Sequence, residues 1–344
     1  MISTQLRKNI LAKLFFNGIE VSRKKDKGNR SFHDAALYRC LDLLQRGGTL
    51  FVFPEGTSSL GPQHLPFKNG AAWLLLNYLE YCGPSLQVVP LGIHYSYPEA
   101  FQSEVEVVVG RSISTALPDE ASRLVRLRVL KRRVHVAMEE VGINVSSEEY
   151  QALIRRFASA STMGTGRSYF RSLKAMERAI PEPILQKWNA LARDLPGTKL
   201  RFHQGLPLFP TDPILLSVLS LIVTGVLVSS AVAANLPAFT AGWFAGKKLP
   251  DDRNVVSLWK ILVGAPCFAL WIAILLVTLI SLGKFSWLAA YVAVTWLGLK
   301  CYGSFKKTCV SVHNTLRHPA FRPRMIEFYD TVLQSIPDEL TTLR

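Results

Sequence analysis

Residues 1 to about 118 alternate between helical and extended hydrophobic periodicities. Leu6 to Phe16 has helical spacing, and Ile19 to Ser22 is short and β-like. Ser31 can cap a helix whose apolar positions Leu37, Cys40, Leu41 and Leu44 fall on one face, with Gly47 and Gly48 stopping it. Thr49 to Phe53 is a continuous apolar run closed by Pro54, the pattern of a strand buried on both faces. Phe67 to Tyr81 returns to helical spacing. Leu86 to Tyr95 reads as another buried strand, and Glu104 to Val109 as a strand half exposed by Glu104 and Glu106. Strands separated by helices of this length predict an α/β domain with a mostly parallel sheet and flanking helices.

From Asp119 to about Gly205 the pattern becomes helical and basic. Arg123, Arg126, Arg128, Lys131, Arg132 and Arg133 scatter around a helical wheel, so they form either a solvated face or a surface against anionic headgroups. Ser159 to Gly166, made of small and polar residues, reads as a flexible linker. Three stretches then carry no charge: Pro213 to Gly246, Ile261 to Gly283 and Phe285 to Leu299. A span needs about 20 apolar residues. The first two supply one each and the third is marginal unless it continues past Lys300 and Cys301. The expected organisation is an α/β domain at 1–118, a basic helical region and linker at 119–205, a transmembrane region of two to three helices at 206–303, and a tail at 304–344 that reads as a short amphipathic appendage.

Composition sharpens this picture. The 344 residues carry 40 Lys and Arg against 25 Asp and Glu, a formal charge of +15, with 49% hydrophobic and 19% charged residues. That excludes a disordered chain and calls for an anionic neighbour. Nucleic acid is excluded as that partner, because no groove-reading motif accompanies the charge and aromatics do not interleave with it. Membrane lipids are the expected partner. The five cysteines are odd in number and show no CxxC spacing, which argues against a disulfide framework and a zinc site. Arg7, Lys8 and Lys13 break any signal-peptide core, so the segment before the spans is expected on the cytoplasmic side of an integral, multi-pass protein.

Chemistry concentrates in Phe53-Pro54-Glu55-Gly56-Thr57-Ser58-Ser59, expected at the carboxyl end of a buried strand, where α/β sheets bind ligands. Glu55 supplies a charge, Gly56 permits close backbone approach, and Thr57, Ser58 and Ser59 offer hydroxyl and N–H donors to an anion. An ordinary turn rich in small residues accounts for the same composition.

This block, with Phe67-Lys68-Asn69-Gly70 eleven residues past Gly56 and then Val88-Val89-Pro90-Leu91-Gly92, resembles the glycerolipid acyltransferase family, which includes glycerol-3-phosphate and lysophosphatidate acyltransferases. Upstream, Gly18-Ile19-Glu20-Val21-Ser22-Arg23 is similar to the family's second block, and the resemblance covers roughly residues 6 to 110. It implies a phospholipid-synthesis or remodelling enzyme with no cofactor, which moves an acyl group from acyl-CoA or acyl carrier protein to a glycerol phosphate or lysophospholipid hydroxyl. By the same resemblance Arg23 pairs with phosphate, Glu55, Gly56, Thr57 and Ser58 hold the acceptor, and Val89, Pro90 and Leu91 line the acyl channel.

Two departures modify that expectation. Ser58 stands where relatives usually have Arg, which removes one positive charge from the acceptor site. The family's first block, Asn-His-x-x-x-x-Asp, supplies the general base, and no histidine here has Asp five residues later. His33 has Tyr38 at that place, while His64 and His94 read as structural or solvent-facing. The chain as written is therefore expected to lack its base and the N-terminal strand that carries it, so no catalytic residue is assigned. The competing expectation is a non-catalytic membrane protein that retains a lipid- or acyl-binding crevice. Lys247, Lys248 and Arg253 between the first two spans, and Lys306 and Lys307 after the last, conflict with three simple crossings under the positive-inside rule. A re-entrant first segment broken near Asn235 and Pro237 removes the conflict.

Overall fold

The computed structural model describes residue 19 and residues 30–56, 61–97, 100, 102–250 and 256–336, with backbone alone at 30–34. The readings placed on Leu6 to Phe16, on Glu20 to Ser22 and on Arg23 lie outside the described residues. The chain divides into two compact units, the first built from residues up to 58, 64–92 and 109–142, the second from 59–63, 93–108 and 143–344.

In the first unit, α1 (Arg30–Gln45) ends before Gly47, whose φ of +78° only glycine adopts without strain. Ala36 and Leu41 are its buried positions. Next, α2 (Gly70–Tyr81) packs on α3 (Arg123–Val141) through Ala72, Leu76 and Leu130, with Leu75, Leu79 and Leu127 around them. Four of the six basic residues of α3 are ties within the unit. Arg123 bonds Glu80 and Asn77, Arg126 the Asp119 carbonyl, Lys131 the Asn69 amide oxygen, and Arg133 the carbonyls of Ser114 and Ala116.

A mostly parallel sheet is not seen among the described residues. Among the described residues the sheets are two small ones: β1 (Leu91–Tyr95) with β2 (Val105–Val109), and β3 (Phe202–His203) with β4 (Leu206–Pro207). The first is an antiparallel hairpin, since Gly110 N–H donates to the Pro90 carbonyl at one end and Ser96 N–H to the Glu104 carbonyl at the other. The connection from Tyr95 to Val105 is shorter than the dozen or more residues that a parallel crossover requires. The second is antiparallel as well. Thr49 to Phe53 is likewise not a strand among the described residues. Phe51 and Phe53 are 73% and 76% exposed, because nothing described covers either side of a run whose composition alone suggested double burial.

The second unit is helical. Its core joins α4 (Glu148–Thr162), α5 (Tyr169–Met176), α6 (Glu182–Asp194) and α11 (Phe321–Ser335) around Ile154, Phe157, Met176, Ile184, Trp188 and Phe328. Ser147 and Ser168 cap α4 and α5 by accepting the N–H groups of Tyr150 and Arg171. Two expectations change here. Ser159 to Thr162 is the last turn of α4 rather than a linker, with Ser161 fully buried and donating to Ala158 O and Ser172 Oγ. Its small side chains let α5 approach. The C-terminal helix is no appendage either: Met325, Phe328 and Val332 are completely buried in the core.

Four further helices follow in the same unit: α7 (Ile214–Ala234), α8 (Leu236–Lys248), α9 (Val256–Ser281) and α10 (Phe285–Arg317). α7 and α9 are long and apolar enough to cross a membrane. The third charge-free stretch does run on past Lys300 and Cys301, as the first half of α10.

Candidate functional site

Phe53-Pro54-Glu55-Gly56 is a β-turn in which Gly56 N–H donates to the Phe53 carbonyl over 3.0 Å. Proline suits its second position because its φ is preset. Gly56 sits at φ +69°, a left-handed conformation that side-chain-bearing residues resist. Its bare α-carbon also faces Lys68: a Cβ there would lie 3.1 Å from the ammonium. The Lys68 N–H donates to the Pro54 carbonyl over 2.9 Å, which ties the turn to the Phe67-Lys68-Asn69-Gly70 segment at the start of α2.

The Glu55 carboxylate is held at both oxygens. Oε1 lies 2.8 Å from His64 Nδ1 and Oε2 accepts the Leu65 N–H over 3.2 Å. Both side chains are about one-fifth exposed. The His64 ring stands edge-on to Phe67, which stands edge-on to His135. Its Nε2 is enclosed against Gly142, where a Cβ would come within 2.1 Å of it. That nitrogen lies against the Gly142 backbone while Nδ1 meets Glu55, so the imidazole anchors the carboxylate.

Beside the turn, Lys68 supplies positive charge, and Lys131 bonds the neighbouring Asn69 Oδ1 over 2.9 Å. A fixed carboxylate beside the Lys68 ammonium and a glycine α-carbon can orient a hydroxyl while the ammonium pairs with a phosphate.

Glu55 and Gly56 thus stand together, whereas Arg23, Thr57 and Ser58 lie outside the described residues. Val88 to Pro90 is extended, with the Val88 carbonyl accepting Ile113 N–H and Ser112 Oγ–H. Val89 is half exposed, Pro90 buried against Gly110, and Leu91 partly buried where β1 begins. His33 lies within α1. His94, in the second unit, packs on Phe170 with centroids 4.6 Å apart and lines a polar cavity of about 370 Å³ with Ser96, Glu104 and Glu106. Three contributors escaped the sequence reading. Lys68 carried a signal, since it belongs to the segment eleven residues past Gly56. Lys131 and Gly142 carried none, because only the packing of α3 brings them near.

The sequence model of the acyltransferase family matches residues 8–94, the stretch that contains this turn, the Lys68 segment and Val88 to Leu91. That stretch is similar to the acyltransferase family. The chain also resembles an uncharacterized acyltransferase of Schizosaccharomyces pombe, at 28% identity over 119 residues. That similarity takes in 32% of this chain and spans 17% of the yeast protein's length. No solved structure matches the chain.

Proposed function

We propose that this chain is a membrane acyltransferase acting on a glycerol phosphate or lysophospholipid, with an acyl thioester of coenzyme A or acyl carrier protein as donor. The acceptor hydroxyl oxygen attacks the thioester carbonyl carbon, the carbon–sulfur bond breaks, and the sulfur leaves with the proton that the hydroxyl gives up. What carries this reading is the turn at Glu55: a carboxylate fixed at both oxygens next to Gly56 and the Lys68 ammonium. Glu55 orients the acceptor, Lys68 and Lys131 pair with its phosphate, and Arg23, Thr57 and Ser58 extend the same site. Val89 to Leu91 borders the acyl chain.

A second reading, binding without turnover, is favoured by a specific observation. No histidine in the sequence is followed five residues later by Asp, and His64 turns its second nitrogen into the protein. A positioned base contributes roughly 10²- to 10⁴-fold.

One experiment separates the two. The full chain in lipid nanodiscs is given radiolabelled acyl-CoA and lysophosphatidate, and binding of lysophosphatidate is measured alongside. Lys68→Ala is expected to weaken binding by about 1.5 to 3 kcal/mol, the value of a charge-assisted hydrogen bond. Turnover that falls with Glu55→Gln establishes the enzyme; binding without turnover establishes the second reading. Equal affinity of wild type and Lys68→Ala would overturn both.

A further inference from the structure

The four apolar helices pack as two antiparallel pairs. A Cβ at Gly298 of α10 would meet Ala231 of α7, and one at Gly225 of α7 would meet Phe305 of α10, so residue number falls along one helix as it rises along the other. In the same way Gly246 of α8 lies over Lys260 of α9, Gly242 over Gly264, and Cys267 Sγ against the Pro237 carbonyl. α9 and α10 are joined by the tight turn at Leu282–Lys284, with Gly283 at φ +63°. If α7 runs away from a reference plane, α10 therefore runs back, α9 runs away and α8 runs back. The chain reverses at Asn235, so α7 and α8 form a helical hairpin.

The two reversals lie at different depths. Trp271 Nε1 donates to the Ala234 carbonyl, Tyr291 OH to Asn235 Oδ1, and the Asn235 amide to Thr295 Oγ1. From that level α9 continues for about ten residues before turning, or roughly 15 Å at 1.5 Å per residue, half of a hydrocarbon core of about 30 Å. Asn235 is fully buried with its amide satisfied, which is how a polar group is tolerated in an apolar reversal.

The open ends are tied together on the polar side. The Arg322 guanidinium donates to the carbonyls of Pro210, Thr211 and Asp212, just before α7. The Asn314 amide, near the end of α10, bonds the carbonyls of Arg201 and Leu208. Lys247, Lys248 and Arg317 mark the open ends, Lys306 and Lys307 lie about ten residues inside the end of α10, and the far turn holds Lys284. Lys260 lies about one turn inside α9, within the reach of a long side chain that extends to an interface, and Lys300 lies nearly two turns deeper than Lys306.

The outer surfaces are uncovered. Leu215, Leu219, Ile222 and Val226 of α7 are exposed, as are Ile261, Leu270, Ile274 and Val277 of α9, and no residue in the most apolar stretch of α9 is buried. A core helix of a soluble protein would be covered by its own fold. Continuous apolar flanks with cations gathered at one end fit a bilayer with an anionic leaflet.

We propose that α7–α8 and α9–α10 are two hairpins inserted from one face of an anionic bilayer. The start of α7, the Lys248–Val256 connection and the end of α10 all lie on that face, and the Leu282–Lys284 turn alone reaches toward the opposite leaflet. This assignment is independent of the acyltransferase reading.

The test is sided labelling in sealed vesicles, with the native cysteines replaced by serine and single cysteines introduced as Lys248→Cys, Ala320→Cys and Lys284→Cys. A membrane-impermeant maleimide added to the cytoplasmic face is expected to label Lys248→Cys and Ala320→Cys together and to leave Lys284→Cys at least tenfold slower. Labelling of Lys248→Cys and Ala320→Cys from opposite faces would overturn the proposal, as would labelling of Lys284→Cys as fast as Lys248→Cys. The unmodified chain provides a second readout. Trypsin on the cytoplasmic face should cut both after Lys248 and after Arg317, and protection of only one of them counts against the hairpins. Recovery of a soluble oligomer without detergent would make a second copy, not lipid, the cover of these flanks and would equally overturn the assignment.

Discussion

One methyl group at Gly142 would decide where His64 points. The space for a Cβ there is already occupied by the imidazole, so Gly142→Ala must push the ring away and with it the contact to Glu55. Overpacking of this kind costs about 1 to 3 kcal/mol. The variant is expected to lower the urea midpoint and to reproduce whatever Glu55→Gln does to acceptor binding. Gly56→Ala acts differently. It strains the backbone by about 1 to 2 kcal/mol through the left-handed φ and crowds Lys68, so its loss of binding should exceed that of Gly142→Ala when titrated with the same lysophosphatidate. Glu55 and Gly56 were legible because their types stand next to each other in the chain. The groups that fix them were less so: His64 arrives through a loop closure and Gly142 through a distant helix end, and no local pattern encodes either.

Helices were far more legible than strands, for a physical reason. A helical stripe such as Leu37, Cys40, Leu41 and Leu44 specifies its own hydrogen bonds, whereas a strand such as Thr49 to Phe53 depends on partners elsewhere. The same limitation explains the hairpin at β1 and β2: alternation announced the strands but not the direction of pairing. Small residues misled in the opposite sense, since Ser159 to Thr162 looked loose in sequence and is a tightly packed helix end. Two substitutions test the element pairings. Phe328→Ala should destabilise the second unit by about 3 to 5 kcal/mol, because the ring fills space between Phe157 and Trp188 at centroid distances of 5.7 and 5.6 Å. Denaturant unfolding in detergent measures it. Asn235→Leu should cost about 1 to 2 kcal/mol by stranding the Tyr291 and Thr295 hydroxyls between helices. Its readout is the denaturant midpoint in detergent, which is expected to fall.

For the molecule as a whole, stability should depend on pH through His203. Burial, and then Lys306 and Lys307, hold its imidazole down to about 4 from an ordinary 6.5, with Glu104 pulling weakly the other way. The unfolded chain takes up a proton below about 6.5 and the folded chain only near 4, so this contribution is intact above the upper value and is lost as pH falls through the window. His203→Gln should flatten the dependence, measured as the unfolding midpoint on either side of that window.

The burial of α11 also sets an order of events during synthesis. The core gathers residues from Val145 through Phe209 and then Met325 to Ile336, and all four apolar helices lie between those parts in the chain. A ribosome delivering this sequence releases the lipid-facing hairpins before the last quarter of the core exists. Insertion therefore precedes consolidation: α4, α5 and α6 must wait, incompletely packed, until translation ends and α11 docks. A chain interrupted anywhere after Arg317 but before Phe328 would reach the bilayer and still lack the aromatic keystone between Phe157 and Trp188.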